Sequence, residues 1–529
     1  MSKIALLIIL ILGLLVRFIG LDRLPSSLNW DEVSLGYNAY SLLLTGRDEW
    51  NQSFPTSFRA FGDYKLPLYV YAAVPQVKIL GLTELAVRFP SALAGFLLIP
   101  IVYVMVRRLF PRIASAALIS ALLVAISPWT WFLSRLALEA NLAVLISVLG
   151  LTLLISRRYL LSSLLLGMSL WTYNSFRLFV PALLLMLVLL HLKPVFKHFK
   201  QLILPTAAFV FLFIPMVQSL LSPGGQVRLH WLNILDSGAI AEIEQRRNTS
   251  SWPAPWPTLF YNRPITFAIK FSQNYFYHFL PNFLFIKGGD HYQFSVQNQG
   301  LLSWVNLPFF YLGILVLLRS QSKYKSLLLT WLLLAPIPGS LVRDAPHTLR
   351  AVTMLPLPML FSSLGVTWVA QKLRSSKFIV SYLVLIALLS FVYLIRLVNY
   401  SRDYSASFQY GYKQLVDYIK GAYPHYDEII ITKRYGEPHE FVLFYWPWNP
   451  ASFINNSSLV RYGRSDWFWV DSFDKFRFVN DWDMTNYVTS LDASKKYLLV
   501  TSPDSPIALP NLDRINFLNS DPAFLLKEK

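Results

Sequence analysis

Two adjacent carboxylates, Asp31 and Glu32, come shortly after an apolar stretch, 4–20, that is long enough to cross a membrane. Trp30 precedes them, and Tyr37 and Tyr40 follow at helical spacing. A carboxylate this near a bilayer is costly to desolvate, so it usually has a task or a partner. One such task is to take the proton from an attacking hydroxyl. The plain alternative is a helix cap, with Asp31 opening a short helix and Glu32 in its first turn. Cations recur in short polar connections further along: Lys65 beside Asp63 and Tyr64, Arg135 four residues before Glu139, Arg177, and Arg350 with Asp344 and His347 close before it. Taken singly, Arg135 pairs with Glu139 on one helix face and Arg177 snorkels to the interface. Taken together, fixed cations beside one or two carboxylates suit a phosphate-handling site. Guanidinium groups bind phosphate in pairs of hydrogen bonds, and an anionic leaving group is stabilised by charge already in place.

The elements that position these residues are membrane helices. Of 529 residues, 55% are hydrophobic, only 14% are charged, and the mean hydropathy is +0.45. That is the composition of a polytopic α-helical membrane protein. The stretch 4–20 has no cleavage site after it and reads as an uncleaved first span. Ten more apolar stretches follow at 86–106, 114–133, 137–156, 160–174, 178–193, 202–221, 301–318, 326–342, 351–370 and 378–397. With eleven spans and Lys3 in the cytoplasm, five basic connections fall on the cytoplasmic side. They hold Arg107, Arg108 and Arg112; Arg157 and Arg158; Lys193, Lys197 and Lys200; Arg319, Lys323 and Lys325; and Lys372, Arg374 and Lys377. The outer loop 21–85, the long segment 222–300 and everything after about residue 400 are then extracytoplasmic. The net charge of +18 belongs largely to the cytoplasmic loops and does not argue for nucleic acid. The predicted location is the plasma membrane.

The chain divides into a transmembrane part, 1–399, and a small soluble α/β domain, 400–529. In the latter, 412–422 reads as an amphipathic helix, and 427–432 and 497–501 read as strands. The stretch 441–446 suits either a strand or a helix. Pro67 and Pro75 break 65–82, which reads as a short interfacial helix. The outer segment 222–300 carries Trp252, Trp256, Phe260 and Tyr261, then an aromatic run ending in Gly-Gly-Asp290-His291. Such interfacial helices can roof a membrane cavity, and Asp290 and His291 mark a turn near it. With no cysteine, the chain excludes disulfides, thiolate metal sites and cysteine nucleophiles. It has no glycine-rich phosphate loop and no pair of histidines at metal-binding helical spacing. Asp481-Trp-Asp483 has the form of a nucleotide-sugar metal motif, but nucleotide sugars are scarce outside the cytoplasm, so it reads as structural. No metal site is predicted and no cofactor is required, although the composition leaves room for a divalent ion.

The Trp30-Asp31-Glu32 group, the segment Asp63-Tyr-Lys-Leu-Pro-Leu-Tyr-Val-Tyr71 and Val87-Arg-Phe-Pro-Ser91 resemble the polyprenyl-phosphate-sugar-dependent glycosyltransferases of family 39. These are the protein O-mannosyltransferases and aminoarabinose transferases, with the C-type membrane fold. The resemblance covers 1–200 best and continues through 283–290 and 346–350. It implies that Asp31 is the catalytic carboxylate, that Lys65 lies near the donor phosphate, and that Arg135 and Glu139 are the second outer loop's share of the site. One departure matters. The aminoarabinose transferases carry a Glu immediately before the Lys of this segment, where this chain has Tyr64. Acceptor or metal contacts of that Glu are therefore not carried over.

The expected reaction is an inverting transfer of a sugar from a polyprenyl-phosphate donor to an acceptor hydroxyl on the outer face. Asp31 is the general base and Glu32 orients it. Lys65, Arg135, Arg350 and Arg177 stabilise the departing phosphate. Glu139, Asp63, Tyr64, Asp344, His347, Asp290 and His291 line the substrate pocket. A protein, a glycolipid or a cell-envelope glycan each suits the acceptor. The rival from another class is a transporter or flippase of a lipid-linked anionic glycan precursor, which would use the same cations. Against it, no inverted repeat or pair of interrupted helices in matching halves is present.

Overall fold

The computed structural model describes residues 2–221, 234–464 and 467–529. The first twelve residues of the outer segment expected at 222–300, 222–233, lie outside the described residues. The chain forms two compact units. One comprises Met1–Arg17, Ala94–Leu133 and Ala140–Tyr393; the other comprises Phe18–Leu93, Ser134–Glu139 and Leu394–Lys529.

The first unit is helical. The first apolar stretch forms α1 (Ser2–Phe18), and most of the others form one helix each. Three among the described residues are long and apolar enough to cross a membrane alone: Glu84–Leu109, Phe199–Leu221 and Ser376–Asp403. Only 11% and 17% of the apolar windows of the last two is buried, against 56% for Glu84–Leu109. The two poorly covered helices thus present their side chains outward, as lipid-facing helices do. Proline interrupts three of the expected spans. The stretch 114–133 becomes Ala114–Ile126 and Pro128–Leu133, 326–342 becomes Lys325–Leu334 and Ile337–Ser340, and the helix expected from 351 starts only at Leu357, after Pro356.

Each break frees carbonyls that must find donors. At the first break the fully buried Arg17 supplies them. Its guanidinium donates to Val124 O at 2.8 Å and Ala125 O at 2.9 Å, and the Thr130 hydroxyl donates to Val124 O at 2.6 Å. The helices Leu307–Arg319 and Leu357–Leu373 meet backbone to backbone. A Cβ on Gly313 would lie 1.9 Å from Phe361 O, and one on Gly365 would lie 2.1 Å from Phe309 O. Small residues permit this close approach, which membrane helices use for want of a hydrophobic drive between them.

The second unit holds the loop after α1 and the C-terminal sheet. The chain enters α2 (Trp30–Thr45), forms a two-stranded hairpin of β1 (Phe58–Arg59) and β2 (Tyr64–Lys65), and continues into α3 (Pro67–Leu80). Pro67 sits at the start of α3, where a missing N–H costs nothing. The second sheet, among the described residues, consists of β3 (Glu428–Thr432), β4 (Val460–Arg464), β5 (Trp467–Phe473), β6 (Phe476–Val479), β7 (Tyr497–Thr501), β8 (Asn511–Asn516) and β9 (Pro522–Glu528), in the order β4-β5-β6-β3-β7-β9-β8. The central β3 runs parallel to β6 and β7, and all other pairs are antiparallel. Ile429–Ile431 of β3 and Leu498–Val500 of β7 are fully buried, which explains their continuous apolar runs. The helix Tyr412–Ala422 forms as expected, and the ambiguous stretch around 441–446 is a helix, Pro438–Tyr445. Asp481 accepts hydrogen bonds from Thr432 and Ser502, joining the ends of β3 and β7.

Candidate active site

Asn29, not Asp31, caps α2. Its side-chain oxygen accepts the Glu32 N–H at 3.0 Å, and the Glu32 carboxylate accepts the Asn29 N–H at 3.2 Å. This reciprocal box puts both Asp31 and Glu32 in the first turn, where negative charge is favoured by the helix dipole. One step along the helix separates their surroundings completely.

Glu32 turns inward and is fully buried. Arg88, equally buried, meets it with two parallel bonds, Nε to Oε1 at 2.9 Å and Nη2 to Oε2 at 3.0 Å. The Ala137 N–H donates to the same carboxylate at 2.8 Å. Arg88 also donates to the carbonyls of Leu21, Pro25 and Ser27, at 3.1, 2.9 and 2.5 Å. Glu32 and Arg88 together therefore tie the loop after α1, the start of α2 and the segment Ser134–Glu139 into one piece. The sequence places Arg88 only within a family-like motif. The signal for its partnership is its charge, near the start of an apolar helix, which demands a carboxylate.

Asp31 turns the other way and meets Lys65, with Oδ1 and Nζ 2.8 Å apart. The pair is neither sealed nor open, since the Asp31 and Lys65 side chains are 29% and 15% exposed. The hairpin of β1 and β2 brings Lys65 there, two residues before α3 begins. Burial alone would depress the Lys65 ammonium. The charges of Asp31, Glu139 and Asp63 more than reverse this and hold it above its ordinary value. Lys65 is thus cationic at any physiological pH, with three carboxylates around it. Asp63 also accepts the Tyr64 N–H at 2.7 Å, and the Tyr64 ring meets Phe468 edge-on at 6.2 Å.

Arg135 lies in this unit too, but its guanidinium is buried against the turn that ends α1. It donates to Leu24 O at 2.8 Å, Ile19 O at 2.8 Å and Gly20 O at 2.7 Å. Ile19 and Gly20 follow directly on the end of α1, and Gly20 O also accepts the N–H groups of Arg23 and Leu24. The expectation was a phosphate-facing Arg135; these three bonds go to the main chain.

The remaining candidates belong to the helical unit. Arg177 is buried and donates from Nε to Leu170 O at 3.0 Å, at the end of the helix Tyr159–Ser169. Arg350 pairs closely with Asp344, whose other oxygen lies 3.8 Å from His347 Nε2. The His347 ring lies 5.6 Å from His291 and 5.8 Å from Phe294. Burial first, and then Arg350, drive the His347 imidazole down to about 3, so it is neutral. Its Nδ1 accepts the Leu349 N–H at 3.1 Å. The segment 343–350 and the turn at 287–295 are packed tightly, since a Cβ on Gly289 would lie 2.2 Å from Thr348 Oγ1. Arg350, Asp344, His347 and His291 thus form one cluster, with Asp290 exposed beside it.

A second cluster, in the unit that holds the C-terminal sheet, carries no signal in the sequence. Glu49, Glu437, His439 and Glu440 are all buried. Asn38 donates to Glu49 at 2.8 Å and Trp467 donates to Glu437 at 2.7 Å. His439 stands between Glu437, 3.5 Å from Nδ1, and Glu440, 3.7 Å from Nε2. The cleft beside them is lined by Trp50, Phe61, Phe453 and Phe468, with the Arg59 and Arg461 guanidinium groups 4.7 and 4.4 Å from the centre of the Trp50 ring. Burial pushes Glu49 and Glu437 up to about 7, and burial together with the Glu49 charge pushes Glu440 well above the carboxylate range. Burial drives His439 down to about 3.

The native carboxyls therefore hold protons that the unfolded chain has lost above its ordinary 4.5. Their contribution to stability is full below that pH and is lost as the pH rises through about 7. His439 works the other way between about 3 and 6.5, but one imidazole faces three carboxyls, so the net slope from 4.5 to 7 is downward. Glu440→Gln should stabilise the protein at pH 8 by about 1–3 kcal/mol, because an amide needs no proton to be buried. Thermal unfolding against pH checks this: the wild-type midpoint should fall between pH 5 and 8 more steeply than that of the variant, and parallel curves would refute it.

Comparison with known proteins adds to this geometry. Residues 65–218 match the family model of the dolichyl-phosphate-mannose-protein mannosyltransferases, a span that starts at Lys65 and takes in Arg88, Arg135, Glu139 and Arg177. No curated protein matches the chain. Among solved structures, the fold is similar to ArnT from Cupriavidus metallidurans bound to undecaprenyl phosphate. The TM-score is 0.55 and the identity 13%, over 98% of this chain and 97% of that one. It is also similar to the oligosaccharyltransferase AglB from Archaeoglobus fulgidus, in complex with an inhibitory peptide and a dolichol-phosphate. There the TM-score is 0.50 and the identity 15%, over 79% of this chain and 58% of the archaeal one. The resemblance to glycosyltransferases that use polyprenyl-phosphate donors is borne out, and the enzyme class read from the sequence agrees with it. The polytopic membrane fold with a C-terminal sheet domain is that of these neighbours.

Proposed function

We propose that this chain transfers a sugar from a polyprenyl-phosphate donor to an acceptor hydroxyl at the outer face of the plasma membrane, with inversion and with Asp31 as general base. The observation that carries the reading is the contrast within one helical turn. Glu32 is sealed against Arg88, whereas Asp31 is part-exposed and paired with a lysine at 2.8 Å. A part-exposed carboxylate beside a lysine held in its charged form is placed to take a proton next to a departing phosphate.

The acceptor oxygen attacks the anomeric carbon from the face opposite the phosphate. Its proton passes to Asp31 as the new C–O bond forms. The bond from the anomeric carbon to the phosphate oxygen breaks, and its electron pair leaves with the phosphate. Lys65 then faces a second anion and stabilises the charge that grows on it. Its raised affinity for its proton keeps it charged throughout. In this reading Glu32, Arg88 and Arg135 are positioning residues that hold the loop, and the Arg350 cluster is a separate candidate anion site in the helical unit. Eleven spans with a cytoplasmic N-terminus, and outer loops at 21–85 and 222–300, complete the proposal. The acceptor is a hydroxyl on a protein, a glycolipid or an envelope glycan.

The test is transfer from a panel of radiolabelled polyprenyl-phosphate sugars into total membranes, with the wild type beside Asp31→Asn. Label entering a product only with the wild type establishes the reaction and the sugar. Protease sensitivity and product size separate protein from glycan acceptors. If neither incorporates label while both bind the lipid donor, the transporter reading replaces this one. Lys65→Met should lower turnover roughly 10²- to 10³-fold, the scale of a lost transition-state charge contact. Lys65→Arg should retain part of that loss as activity, because charge survives but geometry changes. Steady-state kinetics on both variants decides: equal losses would mean that the cation is not the feature in use.

A further inference from the structure

The Asp31–Lys65 pair consists of residues from two separate segments, and both segments are seated on the C-terminal sheet domain. The backbone N–H of Trp30, the residue before Asp31, donates to Gln409 Oε1 at 2.7 Å. Gln409 in turn donates to Tyr435 O at 2.5 Å. The Trp30 indole lies against Gly436, where φ is +88° and a Cβ would stand 2.1 Å from the ring. Further along α2, Tyr37 donates to Trp448 O at 3.2 Å, and a Cβ on Gly36 would lie 2.6 Å from the Phe444 ring.

The hairpin that carries Lys65 is held independently. The Phe468 N–H of β5 donates to Phe61 O at 2.6 Å. The Phe61 ring stacks on Trp467 at 6.2 Å and 28°. Phe468 takes the Tyr64 ring on its edge and the Arg59 guanidinium 4.6 Å from its centre. Trp467 is itself held in place by its bond to Glu437. Two segments whose charged ends meet are thus gripped a residue or a few away from each charge by the same domain.

We propose that the C-terminal α/β domain is the positioning element of the reaction centre: Gln409 seats Asp31, Trp467 and Phe468 seat Lys65, and together they set the distance between base and cation. This rests on the roles given above to Asp31 and Lys65. A displacement of about 1 Å at a reacting group costs up to about a hundredfold in rate without weakening binding elsewhere. Loosening either grip therefore lowers kcat and leaves the donor KM in place.

The full chain in nanodiscs provides the test, with Gln409→Leu, Trp467→Leu and the conservative Trp467→Phe. With the labelled donor that the wild type turns over, the two leucine variants should lose about 10- to 100-fold in kcat, with donor KM and affinity for undecaprenyl phosphate within about threefold of the wild type. Trp467→Phe, which keeps a ring on Phe61, should stay within about threefold in kcat. Because the chain has no cysteine, spin labels at Gly62→Cys and Ala493→Cys read the hairpin against the domain without background. That distance distribution should be narrow in the wild type and broad in Trp467→Leu. Unchanged kcat and unchanged distances in both leucine variants overturn the proposal. So does a parallel fall in kcat, lipid affinity and thermal midpoint, which marks a merely structural role. If Asp31→Asn keeps activity, the assignment of the base fails instead, and the label distances still decide whether the domain holds the hairpin.

Discussion

Asp31→Asn is expected to lower sugar transfer by roughly 10²- to 10⁴-fold, the range spanned by removal of a general base. The substitution keeps the shape of the side chain and its place in the first turn of α2, so the fold should survive. The exchange of a charge for a dipole near the helix start costs at most about 1 kcal/mol. Two things are lost together. The amide cannot accept the acceptor's proton, and Lys65 loses the largest of the charges that offset its burial. Binding of undecaprenyl phosphate should therefore change far less than turnover. Asp31→Glu keeps the charge but moves the carboxylate by a methylene, and should fall between the two. Kinetics with the labelled donor, alongside lipid binding, checks the assignment. A variant that kept more than about a tenth of wild-type turnover would move the base elsewhere.

Arg88→Met should be the most destabilising single change among the residues named here, by about 3–5 kcal/mol. The Glu32 carboxyl would be left sealed from water without its partner, and the carbonyls of Leu21, Pro25 and Ser27 would lose their donor. The expected readout is a sharp fall in the thermal midpoint and in the yield of folded protein. Glu32→Gln/Arg88→Met should be less destabilised than the sum of the two singles, because the double change removes both buried charges at once. Additive costs would show that the pair contributes nothing as a pair. This distinguishes a structural Glu32 from a catalytic one: a purely positioning Glu32 should lose activity only in step with stability.

The membrane class and the approximate places of the helices were legible in the sequence, and so were Asp31 and Lys65 as candidates, though not their pairing. Hydrophobic length reports a span because the bilayer core has a fixed thickness and a backbone in lipid must satisfy its own hydrogen bonds. Charge in such a setting stands out for the same reason, which is how Asp31, Lys65, Arg135 and Arg350 could be picked out at all. Strands such as β3 and β7 showed as continuous apolar runs because their sheet is covered on both faces.

What only tertiary structure decided is which charge meets which. Asp31 and Glu32 are neighbours in sequence, yet a helix turns consecutive side chains by about 100°. One therefore meets Arg88 in the interior and the other meets Lys65 at the rim. Arg135 reads as a phosphate ligand in the sequence, and the fold adds three hydrogen bonds from its guanidinium to carbonyls of the turn after α1. Glu49 and Glu440 are 391 positions apart, and nothing local marks either of them as buried. Composition and periodicity report what a residue's own segment needs, whereas the pairing of buried charges depends on which distant segments the fold brings within a few ångströms of each other.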